Sequence, residues 1–102
     1  MLAKRYLLVT SRALPGREKE YADWYKDRHI ADVLKVPGFI DGKLFCGVAP
    51  DGSETGEFKG LYEIGEGEPG ALMAELMARR EDMDVSDAID PASVNFTFLD
   101  PA

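Results

Sequence analysis

Cysteine and histidine are almost missing from this chain. Cys46 is the single cysteine, which leaves no partner for an intrachain disulfide and excludes a cysteine-rich zinc site. A reducing cytoplasm is the expected setting. His29 is the single histidine, so a transition-metal site would have to lean on carboxylates, with haem ligation through His29 formally open. Long apolar runs are missing too. No stretch approaches the roughly 18–20 residues that span a bilayer. The apolar start gives way at once to Thr10-Ser11-Arg12 and reads as a strand rather than a signal peptide. There is no glycine-rich phosphate loop. Gly65, Gly67 and Gly70 are interrupted by Glu66, Glu68 and Pro69, and acidic side chains there repel phosphate, so no nucleotide cofactor is expected. Positive charge is scarce. Twelve basic residues against 19 acidic ones leave a net charge of −7, which repels phosphate backbones and anionic membranes. Neither nucleic acid nor a membrane is an expected partner.

What the 102 residues do carry is a folding composition, 45% hydrophobic and 10% aromatic, sufficient for one domain over 1–102. Residues 4–11 are rich in strand formers and end at the Pro15-Gly16 turn signal. A helix opens at Arg17-Glu18 and must stop before Pro37-Gly38, because a residue preceding proline leaves helical space. Residues 39–48 form a second strand, and Pro50-Asp51-Gly52 turns the chain into a third over 57–64. A second helix covers 71–80, with Arg79 and Arg80 in its last turn. An acidic connector follows, then a strand over 94–99. The order β-α-β-β-α-β is that of a ferredoxin-like α+β sandwich, a four-stranded antiparallel sheet with both helices on one face. The bare face calls for a partner, and a homodimer stacking two such sheets supplies it.

In the first helix, Tyr21-Ala22-Asp23-Trp24-Tyr25-Lys26-Asp27-Arg28-His29 and then Val36-Pro37-Gly38-Phe39 form an aromatic-x-x-Trp-Tyr-x-x-x-His … Pro-Gly-Phe run. This run resembles that of the dimeric α+β barrel proteins of the EthD type, closest to the REDY-like, HapK-like branch. The resemblance implies a homodimer whose sheets form a shared barrel, with a mostly apolar pocket between sheet and helices in each subunit. Such relatives include cofactor-free isomerases, polyketide cyclases, small monooxygenases and haem-degrading enzymes. The pattern around His29 fits the EthD-type motif better than the haem-degrading one, so no haem ligand is carried over. Fold alone does not choose among these activities.

His29 has the side chain best suited to general acid–base work at neutral pH. Tyr25 precedes it by one turn and Asp32 follows at i+3, spacings that let a carboxylate orient the imidazole and a phenol share its pocket. The plainer alternative is a histidine that buttresses the helix end near Pro37. Trp24 and Tyr25 could line an aromatic pocket or simply pack on the sheet. Arg28 could meet a substrate carboxylate or pair with Asp32. Tyr6, Phe45, Tyr62 and Phe96 are pocket candidates from the strands, their facing left open. Cys46 and the Met73/Met77 pair read as core, and the connector acids as a solvated charge run.

The expectation is a cofactor-independent lyase, isomerase or cyclase acting on a small apolar aromatic or polyketide-like carbonyl compound. His29 would move the proton, Tyr25 would bond the developing oxyanion, and Asp32 would orient His29. The alternatives are a non-catalytic small-ligand-binding or accessory protein, and a cofactor-free monooxygenase.

Overall fold

A computed structural model describes residues 3–102. Strand β1 spans Arg5–Arg12, β2 Phe39–Val48, β3 Glu54–Ile64 and β4 Asn95–Leu99. The sheet order is β2-β3-β1-β4 with every neighbouring pair antiparallel. Thus β1 and β2 run parallel with β3 between them, the split βαβ arrangement, compatible with a ferredoxin-like α+β fold. Strand β3 begins at Glu54 rather than at 57, because Gly56, at φ +84°, lets the chain keep pairing through an irregular register with β2.

The first helical stretch is one rod in three parts: α1 (Glu18–Trp24), a π-helical turn (Tyr25–His29) and α2 (Ile30–Leu34). Glu18 and Glu20 in its first turn complement the helix dipole. It ends as expected ahead of Pro37, and Gly38 at φ +98° reverses the chain into β2. Helix α3 covers Pro69–Ala78, with Pro69 in its first turn, and stops two residues before the expected end. Arg80–Asp82 then form a separate 3-10 turn. The layer therefore holds two helices over one sheet face.

Alternation along the strands fixes what each face shows. Leu7, Phe58, Tyr62 and Ile64 point under the helices and are buried with Tyr21, Tyr25, Val33 and Leu72 in one core. Tyr62 stands opposite Leu7 on one side and Gly42 on the other. Ile30 packs over Gly42 of β2. The far face carries Tyr6, Leu8, Leu61, Phe45 and Leu99 among charged neighbours such as Lys43 and Glu63. Two expected core residues lie elsewhere. Cys46 is exposed because β2 is an edge strand and no helix reaches its end. Met77 is 37% exposed, while Met73 packs against the core. No helix among the described residues is long and apolar enough to cross a membrane.

Candidate functional site

The π turn positions the site. In an α-helix, Trp24 and His29 would lie about 140° apart around the axis. The wider i→i+5 turn brings them into line. Their rings stack with centroids 4.6 Å apart at 26°, and the Tyr25 ring meets the imidazole edge-on at 4.8 Å. Tyr21 lies tilted against Trp24 and meets Tyr25 edge-on. Four aromatic side chains are thereby held in contact along one side of the rod.

Tyr25 reaches across to the sheet. Its hydroxyl sits directly over Gly60, where a Cβ would come within 2.1 Å of it. Glycine is required here by this approach rather than by its backbone angles. The Tyr62 hydroxyl donates to the Tyr25 oxygen at 2.7 Å. Tyr25 therefore accepts from the sheet and keeps its own proton for another acceptor. Burial pushes the pKa of both phenols up, so both stay protonated at neutral pH. Alongside them the Ser11 and Tyr21 hydroxyls share a 2.7 Å bond in the interior, which satisfies both.

These rings form one wall of a cavity of about 460 Å³, a size suited to a small organic molecule. Val9 and Ser11 of β1, Tyr62 of β3 and Val33 complete the inner wall. Leu76 and Met77 of α3 contribute a second side, and Val94 and Phe96 a third. The fourth comes from the connector, through Met83, Val85 and Ile89. Met77, Val85 and Phe96 are large apolar residues that remain exposed, and together they mark the mouth.

In the connector over 81–90, Glu81, Asp82, Asp84 and Asp87 are exposed, as a solvated charge run should be, but the apolar residues of the segment have a role that the sequence does not show. Its apolar residues wall the cavity and Ala88 is fully buried. Its acids make exposed ion pairs: Asp87 with Arg17 at 2.6 Å and Asp84 with Arg28 at 3.3 Å. The Asp84 carbonyl also accepts from the Trp24 indole N–H at 3.0 Å. A backbone bridge between Ala13 and Ile89 fixes the far end.

Among the candidate residues, His29, Tyr25, Trp24, Tyr62 and Phe96 converge on the cavity. Tyr6 and Phe45 do not, because their register places them on the opposite sheet face. Arg28 points outward to Asp84, not to Asp32. Asp32 makes no hydrogen bond to His29. It faces a separate recess and pairs with Lys35 at 3.5 Å. Arg80 was read only as a helix-end charge, yet it lines the cavity. The signal was its place one turn beyond Met77 on the same stripe.

The His29 Nδ1 is buried with no hydrogen-bond partner, and Nε2 is the ring nitrogen left open to exchange a proton. Burial pushes the imidazole pKa down to about 4, opposed only in part by the Asp32 carboxylate. His29 is therefore uncharged at neutral pH. Among the described residues, no three His, Cys, Asp or Glu side chains gather as a metal site would require. No protein-family model, curated protein or solved structure matches the chain.

Proposed function

We propose that the cavity binds a small, mainly apolar carbonyl compound, aromatic or polyketide-like, and that the protein moves a proton on it as a cofactor-independent lyase, isomerase or cyclase. One observation carries this reading: a tyrosine proton with no protein acceptor, beside an uncharged imidazole, in a largely apolar cavity. The Tyr25 hydroxyl would bond the carbonyl oxygen as it gains negative charge, held by the Tyr62 hydroxyl behind it. His29 Nε2 would accept the proton from the adjacent carbon. A base with a pKa of about 4 beside tyrosine donors is a workable pair for enolisation. The resulting imidazolium would carry an unpartnered Nδ1–H in an apolar wall, so it would return the proton promptly to another carbon. The stacked Trp24 ring, rather than Asp32, would hold the imidazole in place. The resemblance of the 21–39 run to EthD-type proteins supports the same chemistry. It also supports a second copy of the chain covering Tyr6, Leu8, Leu61 and Phe45 on the outer face.

The test is deuterium exchange. Aromatic methyl ketones and 1,3-diketones incubated with the protein in D2O should gain deuterium next to the carbonyl, followed by NMR. His29→Phe should abolish the exchange, and Tyr25→Phe should slow it by about 10²-fold or more. Compounds that bind without exchanging would instead support the ligand-binding reading.

A further inference from the structure

Arg80 distinguishes itself by what it lacks. The side chains of Arg5, Arg12, Arg17 and Arg79 each donate to a carboxylate or a backbone carbonyl, and Arg28 forms an ion pair with Asp84. Arg80 alone among the arginines has no such partner within the described residues, although Glu81 and Asp82 follow it directly and acids outnumber bases in this chain. Arg80 is also the one arginine that lines the cavity. It stands one turn beyond Met77, and therefore at the mouth that Met77, Val85 and Phe96 define.

An unpaired guanidinium beside apolar walls is a recognition element for a planar anion, which it holds through two parallel hydrogen bonds. The charge balance at the mouth selects which anion. Among the described residues no second cation lines the cavity, and Glu81, Asp82 and Asp84 lie close by in sequence. A phosphate dianion would find one cation and acidic neighbours. A carboxylate needs only the single fork. Resting on the proposal that the cavity is a small-molecule site, we infer that its ligand is a carboxylic acid. Its carboxylate pairs with Arg80 at the mouth, and its apolar body lies inward against Trp24 and His29. The substrate class then narrows to aromatic or polyketide-like keto acids, with the acid group outermost and the carbonyl towards Tyr25. This assigns to Arg80 the role that the sequence offers to Arg28, whose charge Asp84 takes up.

The experiment is calorimetric titration of the whole protein with matched probes: aromatic acids from benzoate to 2-naphthoate, and the corresponding uncharged methyl ketones. The acids should bind more tightly than the ketones. Arg80→Gln should weaken acid binding at least tenfold and leave ketone binding within about twofold. Arg80→Lys should fall between, since it keeps the charge and loses the fork. Raised salt should weaken the acids alone. The melting temperature of Arg80→Gln should match the parent, because the side chain holds nothing in the fold. Ketones that bind while acids gain nothing from Arg80 would overturn the assignment and leave the cavity reading intact. Binding of neither set at millimolar concentration would overturn both.

Discussion

Acidification should destabilise this protein through His29. The imidazole has a pKa of about 4 in the fold and about 6.5 in the unfolded chain. The unfolded chain therefore binds a proton first as pH falls. Stability is fully present above pH 6.5, declines between pH 6.5 and pH 4, and stays lowered below that. The whole decline is about 3 kcal/mol, of which about 2 kcal/mol has gone by pH 5. That is a large share of the 5–15 kcal/mol typical of a domain. Urea unfolding followed by far-ultraviolet circular dichroism at pH 7.5 and pH 5.0 reads it directly. His29→Phe is the control. Phenylalanine keeps a ring against Trp24, fills the wall beside Tyr25 and has no proton to bind. Passing from pH 7.5 to 5.0, the variant should gain about 2 kcal/mol on the parent. A parent–variant difference constant to within about 0.5 kcal/mol would mean that His29 titrates as a solvated imidazole, refuting both its burial and its place in an apolar wall.

Four further outcomes can be checked. Gly60→Ala should cost about 2–3 kcal/mol, since its Cβ would collide with the Tyr25 hydroxyl, and the cost should shrink sharply in a Tyr25→Leu background. Tyr21→Phe should cost about 1–2 kcal/mol in thermal or urea unfolding, because it strands the buried Ser11 hydroxyl. Asp84→Ala should change stability by less than about 1 kcal/mol, the ion pair with Arg28 being exposed on both sides. Sedimentation at micromolar concentration should give a dimer, and an 11.3 kDa species would remove the second copy from the outer face.

The strands and helices were legible because their signals are local. The second strand begins and ends where the sequence places it, at Phe39 and Val48, between a Pro-Gly turn and a Pro-Asp-Gly turn. The site was legible in part: Trp24, Tyr25, His29, Tyr62 and Phe96 line the cavity, whereas Arg28 and Asp32 do not. A period of 3.6 residues groups Tyr21, Trp24, Tyr25, Arg28, His29 and Asp32 together, but the π turn breaks that period inside the motif itself. His29 stays with Trp24, while Arg28 and Asp32 turn away to Asp84 and Lys35. Tyr6 and Phe45 illustrate a different limit. Strand alternation assigns each residue to one of two faces, and only the register with β3 says which face the helices cover. The apolar side of the connector was missed because its many acids mask Met83, Val85 and Ile89, spaced too irregularly to form a periodic stripe.

The sole tryptophan turns this geometry into an optical signal. Trp24 lies face to face with His29, and its N–H is fastened to the connector at Asp84. A charged imidazole quenches an excited indole by contact, whereas a neutral one does so far less. The emission intensity of the folded protein will therefore follow the ionisation of His29. Its wavelength will follow the connector, because loosening that segment lets water reach the indole and shifts emission to the red. Intensity and colour thus give two separate channels on one cavity, read from the unlabelled chain.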